Sequence, residues 1–399
     1  MKKNTKIGVL GGGQLSQMLC EAAPGLGIHT LVLAEDPRSP AARCADELIV
    51  GSSADEKNLS ELCKRSPIVV FENEFVDCKS LVKASSKGKI HFVPSLEAIE
   101  RLQDKANQKR ILRNLNIMTA EFEEYPMTHD LRDWLGFIDR RFPGGFVLKW
   151  ARYGYDGKGV FIVQSLSRQI DQILGFCQNA LNRKVSVFAE KKIKYMRELA
   201  MVGCVSSEKK IIYYPLVISE QKDGICYKVM GPAVALGVDP KLENLAREVV
   251  SKIADHLDLV GCFAIEFFQS EAGELLVNEI APRVHNSAHY TQEACHVSQF
   301  ENHLRAAARL PLVEPEVKGV FAMYNLLGPR GAAKTANPQF DLSLPAGVKL
   351  HWYGKSEMRP GRKLGHLNAV AKDRQKLEEL CGHIEKLVEL WHSKLNETA

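Results

Sequence analysis

The chain has 399 residues, enough for about two or three domains with apolar cores of their own, which excludes small disulfide- or metal-stapled scaffolds. With 25% charged and 45% hydrophobic residues it has the mixture of a folded globular protein, not of a disordered or coiled-coil chain. Lys+Arg 53 against Asp+Glu 48 leaves +5, a mild excess that favours anionic ligands but, with no dense Lys/Arg run, predicts no nucleic-acid groove.

Met1-Lys2-Lys3-Asn4 leads straight into a strand pattern with no signal-peptide core, and no stretch approaches the ~18 apolar residues of a membrane span, so a cytoplasmic protein without membrane association is expected. Residues 6–11 form a short apolar run closed by Gly11, Gly12 and Gly13, and 14–23 reads as a helix: strand, tight turn, helix. Further apolar runs at 29–33, 48–50, 67–72 and 90–93, separated by helical segments such as 56–64, predict a parallel sheet wrapped by helices. A charged helix over 102–114 leads to a different texture, with strands at 146–150, 159–163, 185–190, 197–205 and 210–214 and one helix near 168–180. That is an antiparallel, α+β pattern. A long helix over 242–257 precedes runs 261–269 and 274–280, a hairpin turning at Ala272-Gly273. Residues 328–347 read as a connector to strands near 348–352 and 364–371 and a closing helix from Arg374. The ten cysteines form no C-x-x-C pair, so reduced, mostly buried thiols are expected.

Five segments carry candidate chemistry. The glycine turn Gly11-Gly12-Gly13 presents backbone N–H groups at a helix N-terminus, where an anion is stabilised, or simply lets helix pack on strand. A dinucleotide fingerprint would want glycine at Ser16. Lys149, on a strand, is followed by Arg152-Tyr153-Gly154-Tyr155-Asp156-Gly157-Lys158-Gly159, a lysine plus a glycine-rich loop suited to closing over phosphates unless it is only a basic hairpin tip. Glu266 and Glu279 fall on adjacent predicted strands among apolar neighbours. An unpaired carboxylate is costly there, so each needs a cation: Mg²⁺, with Asn278 beside it, or a structural salt bridge. The run Arg283-Val284-His285-Asn286-Ser287-Ala288-His289 follows a buried strand and places polar groups on a loop held by a rigid element. Lys355, Arg359, Arg362, Lys363 and His366 surround Pro360-Gly361, either a phosphate clamp or a solvated basic turn.

In this order, with the runs Asn278-Glu279-Ile280-Ala281-Pro282-Arg283-Val284-His285-Asn286-Ser287 and Arg359-Pro360-Gly361-Arg362-Lys363-Leu364-Gly365-His366, the chain resembles the N5-carboxyaminoimidazole ribonucleotide synthetase family of the ATP-grasp superfamily over nearly its whole length. The resemblance implies an α/β and α+β architecture. A Rossmann-like pre-ATP-grasp domain would occupy 1–100, an ATP-grasp domain 101–310 with a lid near 119–190, and a small C-terminal module 311–399. It implies a carbon–nitrogen ligase that uses ATP, Mg²⁺ and bicarbonate to carboxylate 5-aminoimidazole ribonucleotide through carboxyphosphate in purine biosynthesis. A homodimer is expected, with the product passed to a mutase.

Residue by residue, the resemblance places Arg101, Lys149, Gly154, Tyr155, Asp156, Gly157, Lys158, Gly159, Glu190, Glu198, Asn278 and Glu279 at the nucleotide, and Glu266 and Glu279 at the metal. Glu72, Glu74, Tyr155, Asp156, Lys158, Asn286, Ser287, Lys355 and Arg362 fall at the ribonucleotide. Arg283 and His285, with Lys355, fall at the reacting groups, Arg283 holding bicarbonate and His285, its pKa free to lie near neutrality, handling a proton. Family members usually carry arginine at Lys158, glycine at Ser16 and Ala288, and Asn-x-His at Ser219-Glu220-Gln221; the first change weakens bidentate gripping of phosphate. Competing expectations are a formate-dependent ribonucleotide transformylase or a biotin-directed carboxylase on the same fold, a nicotinamide-dependent oxidoreductase, and a non-catalytic nucleotide-binding regulator.

Overall fold

The computed structural model describes residues 5–86, 88–154, 158–329 and 339–397. The N-terminal alternation yields strands β1 (Thr5–Leu10), β2 (Ile28–Ala34), β3 (Glu47–Val50), β4 (Ile68–Phe71) and β5 (His91–Val93). They form an all-parallel sheet in the order β3-β2-β1-β4-β5, with helices such as Gln14–Ala22 and Glu56–Arg65 completing the crossovers. Strand burial on both faces, complete at Ile7, Val9, Leu31, Val32, Val69 and Val70, explains why these segments read as continuous apolar runs.

The charged helix expected over 102–114 is two helices, Leu96–Leu102 and Lys105–Asn114. Asp104 ends one and caps the next, accepting from the Asn107 N–H at 3.0 Å, while the Lys105 N–H donates to Ala151 O at 2.7 Å. The short polar side chain captures the free N–H of a new helix start. This break aims Lys105 and Lys109 at the sheets that follow in the chain.

Four strands, β6 (Phe122–Glu124), β7 (Phe146–Trp150), β8 (Val160–Val163) and β9 (Val187–Lys191), build a small antiparallel sheet, order β6-β9-β7-β8. Helices Leu131–Arg141 and Leu166–Asn182 cover it over a core of Trp134, Leu135, Leu148 and Ile173. The expected strands are present. β6 and the first helix lay outside the sequence reading, because a three-residue half-buried strand carries too little periodicity to register.

The remaining strands, β10 (Tyr195–Val205), β11 (Ile211–Tyr213), β12 (Val217–Lys222), β13 (Ile225–Gly231), β14 (Gly261–Ser270), β15 (Leu275–Ala281), β16 (Val320–Leu327), β17 (Val348–Trp352) and β18 (Lys363–Ala371), form one sheet. Its path runs β15-β14-β10-β12-β13-β16-β18-β17, with β11 on β10. The tail strands thus continue the sheet of β10 to β15 through β13 and β16, which pair antiparallel. β12 and β13 are additions to the sequence reading, although Asp223-Gly224, both with positive φ (58° and 75°), is the two-residue hairpin signal that would have found them.

Helix Pro240–His256 lies on this sheet, with Asp239 at its N-cap accepting from Lys241 N–H. It buries Leu242, Ala246, Val250 and Ile253 at helical spacing, and each full aliphatic burial contributes about 1.5–3 kcal/mol. Helix Arg374–Glu397 covers β16 and β18 through Leu377, Ile384 and Trp391. All ten cysteines are free, eight buried and Cys44 and Cys226 half-buried. Among the described residues no helix is long and apolar enough to cross a membrane.

Candidate active site

The predicted hairpin forms: β14 and β15 pair antiparallel with Glu266 directly opposite Glu279. Strand alternation sends Ile265 and Phe267 into the core and leaves the two carboxylates on the other face together. Lys105 Nζ meets Glu279 Oε2 at 2.5 Å. Burial comes first, then Glu279 and Glu198, in pushing Glu266 up to about 7. One ammonium does not neutralise two facing carboxylates. Hard oxygen donors carrying uncompensated negative charge fit a divalent cation such as Mg²⁺. Among the described residues no cluster of three or more His, Cys, Asp or Glu forms a metal cage.

On the lid side of this pair, Lys149 Nζ lies 2.6 Å from Glu190 Oε2 and donates to Asn278 Oδ1 at 3.0 Å. A second lysine, Lys109, reaches Glu190 Oε1 at 2.6 Å and Thr119 Oγ1 at 2.7 Å. Burial would raise the Glu190 pKa, but the two ammonium groups hold it at about 2; burial brings Lys109 down to about 8. Two lysines on one buried carboxylate leave net positive charge where an anion can collect it. Glu198, raised by burial, accepts from Tyr195 OH at 3.0 Å. Gln221 Nε2 donates to Ser219 Oγ at 3.1 Å, on the residue that pairs with Glu198 across β10 and β12.

Beyond the carboxylate pair, Arg283 donates to Glu74 from Nε at 2.6 Å and Nη2 at 3.4 Å. Burial opposes both charges, yet each partner stabilises the other, so Glu74 stays below its usual range and Arg283 above its own. His285 Nε2 lies 3.5 Å from Glu266 Oε1. Its Nδ1 accepts from the Ser287 N–H at 3.3 Å and contacts Ser287 Oγ at 2.9 Å, so the ring proton sits on Nε2. Burial, Arg283 and Lys363 push its pKa well below 6.5, which corrects the expectation of a near-neutral titration. Ser287 is engaged with His285, whereas both amide atoms of Asn286 are buried without a hydrogen-bond partner.

The glycine turn binds an anion of its own chain. Glu72 Oε2 accepts from the Gly13 N–H at 2.7 Å, and a Cβ on Gly13 would lie 1.9 Å from Glu72 Oε1. Glu72, raised by burial, is also within electrostatic reach of Lys355 and Arg283. With its N–H groups turned to Glu72, this turn loses the basis for a dinucleotide site. Lys355 lies 5.5 Å from the Tyr353 ring centroid. Arg362 Nη1 donates to Glu357 O at 3.1 Å, and the Pro360-Gly361 turn is fastened by the Gly361 N–H to Gly328 O at 2.8 Å.

One further placement differs from the sequence reading. Arg101 lies against His256, Nη2 to Nε2 2.7 Å, whereas Lys105, four residues on, faces Glu279, Glu266 and Glu74. The Rossmann-side helix break turns Lys105 inward and leaves Arg101 at the rim. In the lid loop Gly154 and Gly159 pack backbone to backbone, Trp150 N–H donating to Gly159 O at 2.8 Å, and Lys158 is exposed. Tyr155, Asp156 and Gly157 lie outside the described residues. Lys105 and Lys109 were missed as site residues: helix periodicity shows a lysine on a face without showing which sheet that face meets.

Residues 4–103 match the ribonucleotide synthetase preATP-grasp domain, 110–300 the ATP-grasp domain and 322–380 the phosphoribosylaminoimidazole carboxylase C-terminal domain. Over 386 residues the chain is 37% identical to the N5-carboxyaminoimidazole ribonucleotide synthase of Synechocystis sp., covering 93% of each chain. The chain belongs to the N5-carboxyaminoimidazole ribonucleotide synthase family. Among solved structures of this family, carboxyaminoimidazole ribonucleotide synthase from Aspergillus clavatus complexed with ATP superposes with a TM-score of 0.86 at 33% identity, covering 98% of this chain and 99% of that one. The Aspergillus clavatus enzyme in complex with ADP and 5-aminoimidazole ribonucleotide gives a TM-score of 0.85 at 32% identity, covering 98% and 100%.

Proposed function

We propose that this chain carboxylates 5-aminoimidazole ribonucleotide with bicarbonate at the expense of ATP, forming N5-carboxyaminoimidazole ribonucleotide through carboxyphosphate in purine biosynthesis. The observation that carries the reading is the facing Glu266–Glu279 pair set between the lysines Lys149 and Lys109 and the Arg283–Glu74 pair.

In this reading Lys149 and Lys109, with Glu190 and Asn278, receive the nucleotide phosphates, Glu198 lies at the nucleotide, and Lys105 takes the place expected for Arg101. Glu266 and Glu279 hold Mg²⁺, which when bound neutralises the phosphate charge. Arg283 orients bicarbonate, and the Nε2–H of His285 donates to an oxygen of the same anion. A bicarbonate oxygen attacks the γ-phosphorus and ADP leaves, giving carboxyphosphate. The ribonucleotide amine then attacks the carboxyl carbon, phosphate departs, and the departing phosphate takes up the amine proton. Neutral His285 stabilises charge as a donor and does not serve as the base at neutral pH. Glu72 and Glu74 with Lys355 lie toward the aminoimidazole, Asn286 with its unpartnered amide atoms toward the ribonucleotide, and Arg362 toward its phosphate.

The domain division 1–100, 101–310 and 311–399, a homodimer, cytoplasmic residence and delivery of the product to a mutase belong to the same reading. The test is ADP release with Mg²⁺ATP, with and without 5-aminoimidazole ribonucleotide and bicarbonate. Product-coupled ADP release dependent on both supports it; release indifferent to the ribonucleotide refutes it.

A further inference from the structure

Arg283 and His285 lie beyond the end of β15 at Ala281, and among the described residues the β14–β15 pairing stops at Ala281. Two buried glutamine side chains pair with the main chain here, one on the free edge of β15 and one beyond its end. At the near end Gln108 Oε1 accepts from the Ile280 N–H at 2.8 Å and its Nε2 donates to Ile280 O at 2.8 Å. At the far end Gln299, the first residue of helix Gln299–Ala307 and fully buried, repeats the pattern. The His285 N–H donates to Gln299 Oε1 at 2.8 Å, and Gln299 Nε2 donates to His285 O at 2.7 Å.

This double bond fixes the amide orientation, so Nε2 is also the donor toward His289 Nδ1 at 3.4 Å. Gln299 is itself held by its main chain: its N–H donates to Thr291 Oγ1 at 3.1 Å and its carbonyl accepts from the Cys262 thiol at 3.2 Å. A side-chain amide with both ends spent on one residue's backbone behaves as a strand neighbour one residue long.

We infer that Gln299 is a positioning residue: by pairing with the His285 main chain it fixes the Arg283–His285 segment against Glu266, and so sets the geometry of the bicarbonate pocket. The inference deepens the carboxylation reading above and rests on it for its kinetic part. Misplacing such a segment by about an ångström costs on the order of 100-fold in rate.

Two variants test it. Gln299→Leu removes both bonds. Gln299→Glu is isosteric: protonated, it remakes both; ionised, it sets a carboxylate oxygen against His285 O and His289 Nδ1. The titratable groups around it are His285 and His289 from the loop, Cys262 from β14 and His303 on its own helix, with Arg283 and Lys363 nearby. Burial raises a carboxyl pKa, so the ratio of Gln299→Glu to parent activity rises as pH falls from 8.5 to 6.5, while the ratio for Gln299→Leu stays flat.

In Gln299→Leu, kcat/KM for bicarbonate falls by about 30- to 100-fold while the KM for ATP stays within about twofold. Amide hydrogen exchange in a peptide spanning 282–288 quickens by at least about tenfold, with β14 peptides unchanged. Unchanged exchange overturns the clamp whatever the activity. Faster exchange with an unchanged bicarbonate kcat/KM, or with ATP and bicarbonate parameters falling in step, overturns the positioning role. A parent that does not carboxylate while exchange in the variant quickens refutes the functional reading and leaves the clamp standing. If Gln299→Leu does not fold, Gln299→Glu decides: a pH-independent ratio overturns the inference.

Discussion

The carboxylate pair invites a direct perturbation, Glu279→Gln. In the ligand-free protein Glu266 is lifted from an ordinary 4.5 to about 7 by burial first and then by Glu279 and Glu198. At 1.36 kcal/mol per pH unit that is about 3 kcal/mol, and a side chain 34% exposed keeps enough water screening to leave about 1–2 kcal/mol. A carboxyl group whose folded pKa is raised binds its proton more tightly when folded. Its contribution to stability is therefore full below pH 4.5 and lost as pH rises through about 7.

Glu279→Gln removes the largest charge acting on Glu266. The Glu266 pKa should fall by at least about one pH unit, and the decline of melting temperature between pH 5 and 7.5 should flatten. Mg²⁺ADP should restore stability to the parent most strongly above pH 7, because each pH unit below it costs about tenfold in affinity for a cation that must displace the proton. The variant should respond weakly to Mg²⁺ADP at every pH. Carbon-13 NMR of the glutamate carboxyls, with melting curves across pH, reads all three effects. A Glu266 that titrates near 4.5 in the parent, or stays near 7 in Glu279→Gln, refutes the account of the pair as a poised cation site.

Lys105→Ala should raise the KM for ATP at least about tenfold while Arg101→Ala changes it less than about twofold; steady-state kinetics on both variants checks the assignment, and the reverse order would return the role to Arg101. Lys109→Met strips one of two partners from a buried carboxylate and should cost about 3 kcal/mol in urea unfolding, with weaker nucleotide binding by calorimetry; a loss under about 0.5 kcal/mol would mean Lys149 alone suffices. Arg283→Ala should abolish most carboxylation while Mg²⁺ATP affinity, carried by Lys149 and the glutamates, stays within about threefold. His285→Asn should lower the rate without moving the pH profile between 6 and 8, since the ring is already neutral there; a profile that loses an apparent pKa near 6.5 would restore His285 as a proton carrier.

Local chemistry was legible in the sequence wherever period and spacing carry it. The parallel sheet over the first 95 or so residues follows from apolar runs buried on both faces, the 261–280 hairpin from alternation broken at Ala272-Gly273, and the facing glutamates from the two-residue period of those strands. The two family-specific runs carried the resemblance on which most site residues were placed, and cysteine spacing predicted the free, mostly buried thiols. Tertiary structure alone decided which partners those groups meet. Arg101 and Lys105 are one helical turn apart, and the break at Asp104 determines which of them reaches Glu279. The glycine turn is an anion site whose anion, Glu72, comes from 59 residues along the chain. Gln299 reads as an ordinary helix-start residue until its amide is found on the His285 backbone. Propensity and periodicity act within a few residues, whereas charge pairing, burial and the pKa values that follow from them depend on contacts closed across tens to hundreds of residues, and no local pattern encodes those distances.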